Sequence, residues 1–214
     1  MRRLFILLVT AAVLTTLALW PTSSYVGVNY QVTPHPITLF EKAVGFIDRD
    51  LRTRRLVAEI TRGSEDSEET LVRLFQYSCQ HVVPTPPGLP IIDDHPLHIL
   101  LRGYGAPDQQ TEAFALLASY AGFPAAAYTL TGSHQESRLV ALVRLEKRLL
   151  VFDPVQGKLF RDSAGHLLDF EQLHRDPTQP FFSQTPPLGP SFGRMEDQKP
   201  LARLWRQIVN FATK

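Results

Sequence analysis

Residues 101–123 read Leu-Arg-Gly-Tyr-Gly-Ala-Pro-Asp-Gln-Gln-Thr-Glu-Ala-Phe-Ala-Leu-Leu-Ala-Ser-Tyr-Ala-Gly-Phe. A turn-rich lead with Gly103, Gly105 and Pro107 runs into a segment whose apolar positions are Ala113, Leu116, Leu117 and Tyr120. Spacings of i, i+3, i+4 and i+7 place these side chains on one face of a helix. Pro107 or Asp108 suits the helix start, where a missing N–H costs little and a carboxylate meets unpaired backbone donors. Gly122 suits the end, and Pro124 cannot continue the helix.

Beyond Pro124, Ala125–Thr131 is expected as a strand. Arg138–Leu145 and Arg148–Phe152 form an expected hairpin about the short charged turn Glu146-Lys147, closing on Asp153-Pro154. On the other side, Gly63–Glu69 is an acidic cap region. It opens a helix to about His81 with Leu71, Leu74, Phe75 and Ser78 on its inner face.

The Gly-x-Gly-x-x-Asp lead, the helix after it, the acidic cap before it and the Asp-Pro strand end together resemble the transglutaminase-like, papain-related superfamily. The resemblance covers residues 64–175. It implies an α+β fold with helices packed on an antiparallel sheet; no cofactor is assigned. It also implies a cysteine at the helix start, a histidine opening the first hairpin strand and an aspartate closing the second. Here Pro107 stands at the cysteine position, Arg138 at the histidine position within one residue, and Asp153 at the aspartate position. Proline carries no nucleophile, and a guanidinium stays protonated and cannot act as a general base. An aspartate alone orients a histidine and does no more. The resemblance therefore implies a catalytically degenerate domain in which Asp153 makes local hydrogen bonds with Arg138.

Two alternatives keep a site. In the first, Tyr104, Asp108, Gln109, His134 and Arg138 line the old groove and bind peptide or glycan. In the second, the single cysteine, Cys79, is the nucleophile of a thiol hydrolase or transferase, with His134 or another histidine displaced towards it. His81 cannot serve while helical, because residues i and i+2 point about 200° apart. Asp93, Asp94, His95 and His98 have metal-ligating side chains, but a polar loop with turn caps is the expected reading, and no metal site is assigned.

The N-terminal end carries a different signal. Arg2 and Arg3 precede Leu4–Trp20, an uncharged and largely apolar run, and Trp20 and Tyr25 follow as interfacial aromatics. Residues 1–24 are expected to be a transmembrane anchor or uncleaved signal-anchor, near the lower limit of about 17 residues. The positive-inside rule then leaves the N-terminus cytoplasmic and the domain periplasmic. Residues 25–36 are expected as an extended tether, and residues 37–175 as the domain. It opens with an amphipathic helix from Ile37 to about Arg62 that carries Leu39, Phe40, Ala43, Val44, Ile47 and Leu51. Residues 176–214 are a Pro/Phe-rich wrap and C-terminal amphipathic helix. A net charge of +1 in 214 residues gives no pull towards nucleic acid. The expectation is a membrane-held, non-catalytic subunit with membrane lipid and protein partners.

Overall fold

The computed structural model describes residues 2–131 and 137–175. The elements run α1 (Arg2–Ala18), β1 (Pro21–Val28), β2 (Gln31–Thr38), α2 (Leu39–Ile60), α3 (Ser67–His81), β3 (Val83–Pro84), β4 (Ile92–Asp93), α4 (Pro96–Arg102), β5 (Tyr104–Gly105), α5 (Pro107–Tyr120), β6 (Ala125–Thr131), β7 (Ser137–Leu145), β8 (Arg148–Asp153), β9 (Lys158–Leu159) and α6 (Phe170–Arg175). The expected α+β class is what forms: an antiparallel sheet in the order β6-β7-β8-β9, with helices packed on it. The wrap and C-terminal helix expected over 176–214 lie outside the described residues.

Helix α5 is the centre. Ten of its fourteen residues are buried, from Gln109 to Ser119 apart from Glu112. Its apolar face meets β6 and β7, while α3 and α4 cover other sides. The one-sided period read from its sequence is therefore narrower than its burial. Alanine and glutamine positions are also enclosed, because helices surround it. Phe75 of α3, Phe114 of α5 and Phe152 of β8 join the layers, with ring centroids 4.8–5.6 Å apart. On the sheet's other face, Leu130, Val140, Leu142 and Val151 pack with Phe160, Phe170 and Leu173. Burial on both faces explains why 138–145 alternates so weakly in sequence.

The hairpin forms in the expected register, with Leu145 opposite Arg148 and Glu146 at φ 54° in the turn. The cap of α3 is Asp66, whose side chain accepts from Glu69 N at 3.0 Å. Helix α4 went unread inside a proline-rich connection. His95 caps it, accepting from Leu97 N at 3.2 Å, and Pro96 stands in its first turn. Gly103 ends it in the left-handed conformation at φ 82°.

Three N-terminal expectations need revision. No helix among the described residues is long and apolar enough to cross a membrane. Helix α1 spans 17 residues, about 26 Å at 1.5 Å per residue against a hydrocarbon core of about 30 Å. Residues 25–36 are extended but do not hang free: they belong to the β1–β2 hairpin, paired from Pro21↔Thr38 to Val28↔Gln31. Pro34 and Pro36 lack a donor, which suits β2 as the edge strand of the sheet β2-β1-β4. Finally, the apolar stripe of α2 does not face the core. Its buried residues are Asp50, Thr53 and Val57, while Phe40, Val44 and Leu51 are 61%, 47% and 54% exposed.

Candidate functional site

The start of α5 is held from the side chains upward. Gly105 lies so close to α5 and α4 that a Cβ there would sit 2.9 Å from Gln109 Cβ and 3.1 Å from Ile99 Cγ2. Gln109 reaches back over this turn. Its carbonyl oxygen accepts from Ala106 N at 3.1 Å and from Arg102 Nη2 at 3.4 Å, while its amide donates to Ile92 O at 2.7 Å. Gln110 donates to Gly105 O at 2.9 Å. The neighbouring Arg102 guanidinium lies 5.0 Å over the Tyr104 ring and donates to Tyr104 O and Ile92 O. Gln109, expected as a groove-lining residue, is thus buried with both ends of its amide engaged, and serves as a strut. Pro107 and Asp108 are exposed at the helix start.

The aspartate and the residue at the histidine position do come together. Arg138 Nε lies 2.8 Å from Asp153 Oδ2, with the aspartate side chain fully buried and the arginine 14% exposed. Asp153 Oδ1 accepts from Gln156 N at 2.9 Å, and Arg138 Nη2 donates to Gln156 Oε1. The pairing follows from the hairpin: Ala141 opposite Phe152 brings the start of β7 alongside the end of β8. His134 lies outside the described residues.

Cys79 stands near the end of α3, not at the N-terminus of α5 where the backbone donors would activate a thiolate. Its Sγ donates to Pro154 O at 3.8 Å. Burial pushes its thiol up from about 9 to about 11, and the Asp153 charge adds to that. Thiol, aspartate and arginine therefore share one neighbourhood, but the field there favours the neutral thiol. His81 is tied elsewhere, its Nδ1 2.9 Å from Tyr77 O and its ring stacked on Tyr77 at 3.8 Å.

The acid- and histidine-rich connection is built of caps. Asp94 accepts from His95 N at 2.6 Å and lies 2.7 Å from His98 Nδ1. Among the described residues no group of three His, Cys, Asp or Glu side chains is placed to hold a metal.

Sequence reasoning missed two participants. Gln156 bridges Arg138 and Asp153 from the loop after β8, and no spacing signals it. The Glu112 carboxyl is raised by burial, then by the nearby Asp108 and Asp93 charges. The i, i+4 spacing from Asp108 was the available clue. A groove of about 550 Å³ also opens between α2 and α3, lined by Leu56, Glu59, Arg73, Tyr77 and His81 among others.

The sequence matches no family model and no curated protein sequence. The fold is similar to that of a crystal structure of a TGase, over 75% of this chain and 50% of that one, at 12% identity and a TM-score of 0.41. The chain thus spans about half the length of that protein. It is also similar to LapG of Legionella pneumophila in EGTA-treated form, over 60% of this chain and 77% of that one, at 18% identity and a TM-score of 0.38.

Proposed function

We propose that this chain is a non-catalytic, transglutaminase-like domain acting as a membrane-associated, partner-binding subunit. One observation carries the reading. The buried Asp153 carboxylate, which in a working site orients a general base, is ion-paired at 2.8 Å with a permanently charged guanidinium. Pro107 at the helix start supplies no nucleophile, and the one cysteine is held neutral. Among the described residues the Asp153 carboxylate is held by Arg138 and the Gln156 N–H, with no histidine against it. The resulting Arg138–Asp153–Gln156 lock holds the start of β7 to the end of β8 without chemistry.

Association with membrane rests on α1, which buries none of its residues and exposes Leu4, Phe5, Leu7, Leu8 and Leu14 by more than half. So large an exposed apolar surface is stable against lipid or another protein.

The test has two arms. The purified full chain is assayed for hydrolysis and crosslinking of peptide amides, and detergent-solubilised native membranes are probed for co-purifying subunits. Stoichiometric partners without turnover is the expected result. Turnover abolished by Cys79→Ala would overturn the reading.

A second reading, a peptide- or glycan-binding cleft, is favoured by the α2–α3 groove rather than the old one. There the stacked Tyr77 and His81 rings offer an aromatic platform beside Glu59 and Arg73. Saturable binding of muropeptides or oligosaccharides, lost in Tyr77→Ala, would support it.

A further inference from the structure

Helix α2 has two apolar faces, and among the described residues only one is packed on the domain. Val57 and its neighbours pack on the domain, while Phe40, Val44, Ile47 and Leu51 form a second stripe that falls within an arc of about 60°. Phe40, Val44 and Leu51 are 47–61% exposed. Arg52 and Arg55 flank the stripe, and beyond them Leu101 of α4 is 65% exposed. Between these arginines and Leu101 lies a depression of about 240 Å³ floored by Leu56, Leu97 and Leu100. Arg52 pairs with Asp48 at 2.9 Å, and Arg55 has no ionic partner among the described residues.

The N-terminal hairpin decides what meets this surface. Strands β1 and β2 leave the end of α1 and return to it: Pro21 pairs with Thr38, and Leu39 N donates to Trp20 O at 2.9 Å. Lys42 of α2 ties the two ends further by donating to Ser23 O at 3.0 Å. The first turn of α2, with Phe40, is therefore fixed beside the end of the exposed apolar helix. Wherever α1 enters lipid, the stripe begins at that boundary. An apolar helix face flanked by arginines is the pattern of a helix lying in a headgroup layer.

We propose that the α2 stripe, with Arg52, Arg55 and Leu101, docks the domain face-down on a bilayer of anionic phospholipid. This inference rests on the membrane association of α1 proposed above. The hairpin holds α2 against the surface, Phe40, Val44 and Leu51 enter the headgroup–acyl boundary, and the two arginines meet lipid phosphates. The domain is thereby oriented, not merely tethered.

The full chain carrying Cys79→Ser is labelled with a nitroxide at Val44→Cys, Leu51→Cys, Leu8→Cys or Glu65→Cys. It is then reconstituted in vesicles of phosphatidylcholine with phosphatidylglycerol. Labels at 8, 44 and 51 are expected to collide with oxygen and be shielded from a water-soluble nickel complex, and the label at 65 to show the reverse. Replacing Arg52 and Arg55 by Gln should lower the docked-to-undocked ratio about 30-fold, and salt should do likewise. A shielded label at 8 with nickel-accessible labels at 44 and 51 overturns the docking and leaves the α1 reading standing. Nickel-accessible labels at 8, 44 and 51 overturn both. Docking of equal strength in pure phosphatidylcholine overturns the anionic assignment. Spin–spin broadening between copies at 44 would mean that a second chain covers the stripe, and also overturns it.

Discussion

Replacing Arg138 by Met removes the cation from a carboxylate that has no access to water, since the Asp153 side chain is fully buried and Arg138 is 14% exposed. Breaking a buried pair by removing one partner costs about 3–5 kcal/mol. Asp153 keeps the Gln156 N–H at 2.9 Å, so the low end of that range applies, about 3 kcal/mol. For a domain of this size that lowers Tm by roughly 6–12 °C. Replacing Asp153 by Asn should cost less, about 2 kcal/mol, because the freed guanidinium reaches Gln156 and the surface. The double variant should be milder than the sum, with a coupling of about 1–3 kcal/mol. Urea unfolding followed by circular dichroism on all four proteins gives the cycle. Additive effects, or a loss below about 1 kcal/mol for Arg138→Met, would refute the view that this pair locks the start of β7 to the end of β8.

The other expectations concern the thiol and the start of α5. Cys79, with its thiol near 11, should react slowly with iodoacetamide at neutral pH and tenfold faster per pH unit up to that value. The same raised value stabilises the fold below pH 9, and this contribution is lost as pH rises from about 9 through 11. The stability of wild type relative to Cys79→Ser should therefore be constant below about pH 9 and fall as the pH rises through about 11. In Pro107→Cys the new thiol sits exposed at a helix N-terminus, so it should alkylate at neutral pH well ahead of Cys79; equal labelling by peptide mass mapping would count against the placement. Gly105→Ala forces a Cβ to within 2.9 Å of Gln109, and should cost about 1–3 kcal/mol in the same urea assay.

Much of the fold was legible because its signals are local. The acidic cap of α3, the start and end of α5 and the β7–β8 hairpin are each set by residues a few positions apart, and each formed. The Arg138–Asp153 pair was legible too, since hairpin register carries one end of β7 to the other end of β8. Gln109 was misread for the opposite reason. A glutamine beside a helix start looks like a groove residue until α4 and residue 92 arrive to occupy its amide. Gln156 and the environment of Cys79 likewise depend on a loop and a carbonyl distant in sequence.

Local sequence was enough to say which residues share a face and where helices begin and stop. Only the tertiary structure decided what each face meets. The stripe of α2 has the same period whether it is buried or bare, and residues 25–36 read as extended whether paired or free. Periodicity is a property of one segment, whereas burial and pairing belong to two segments brought together, and nothing in either alone specifies the other.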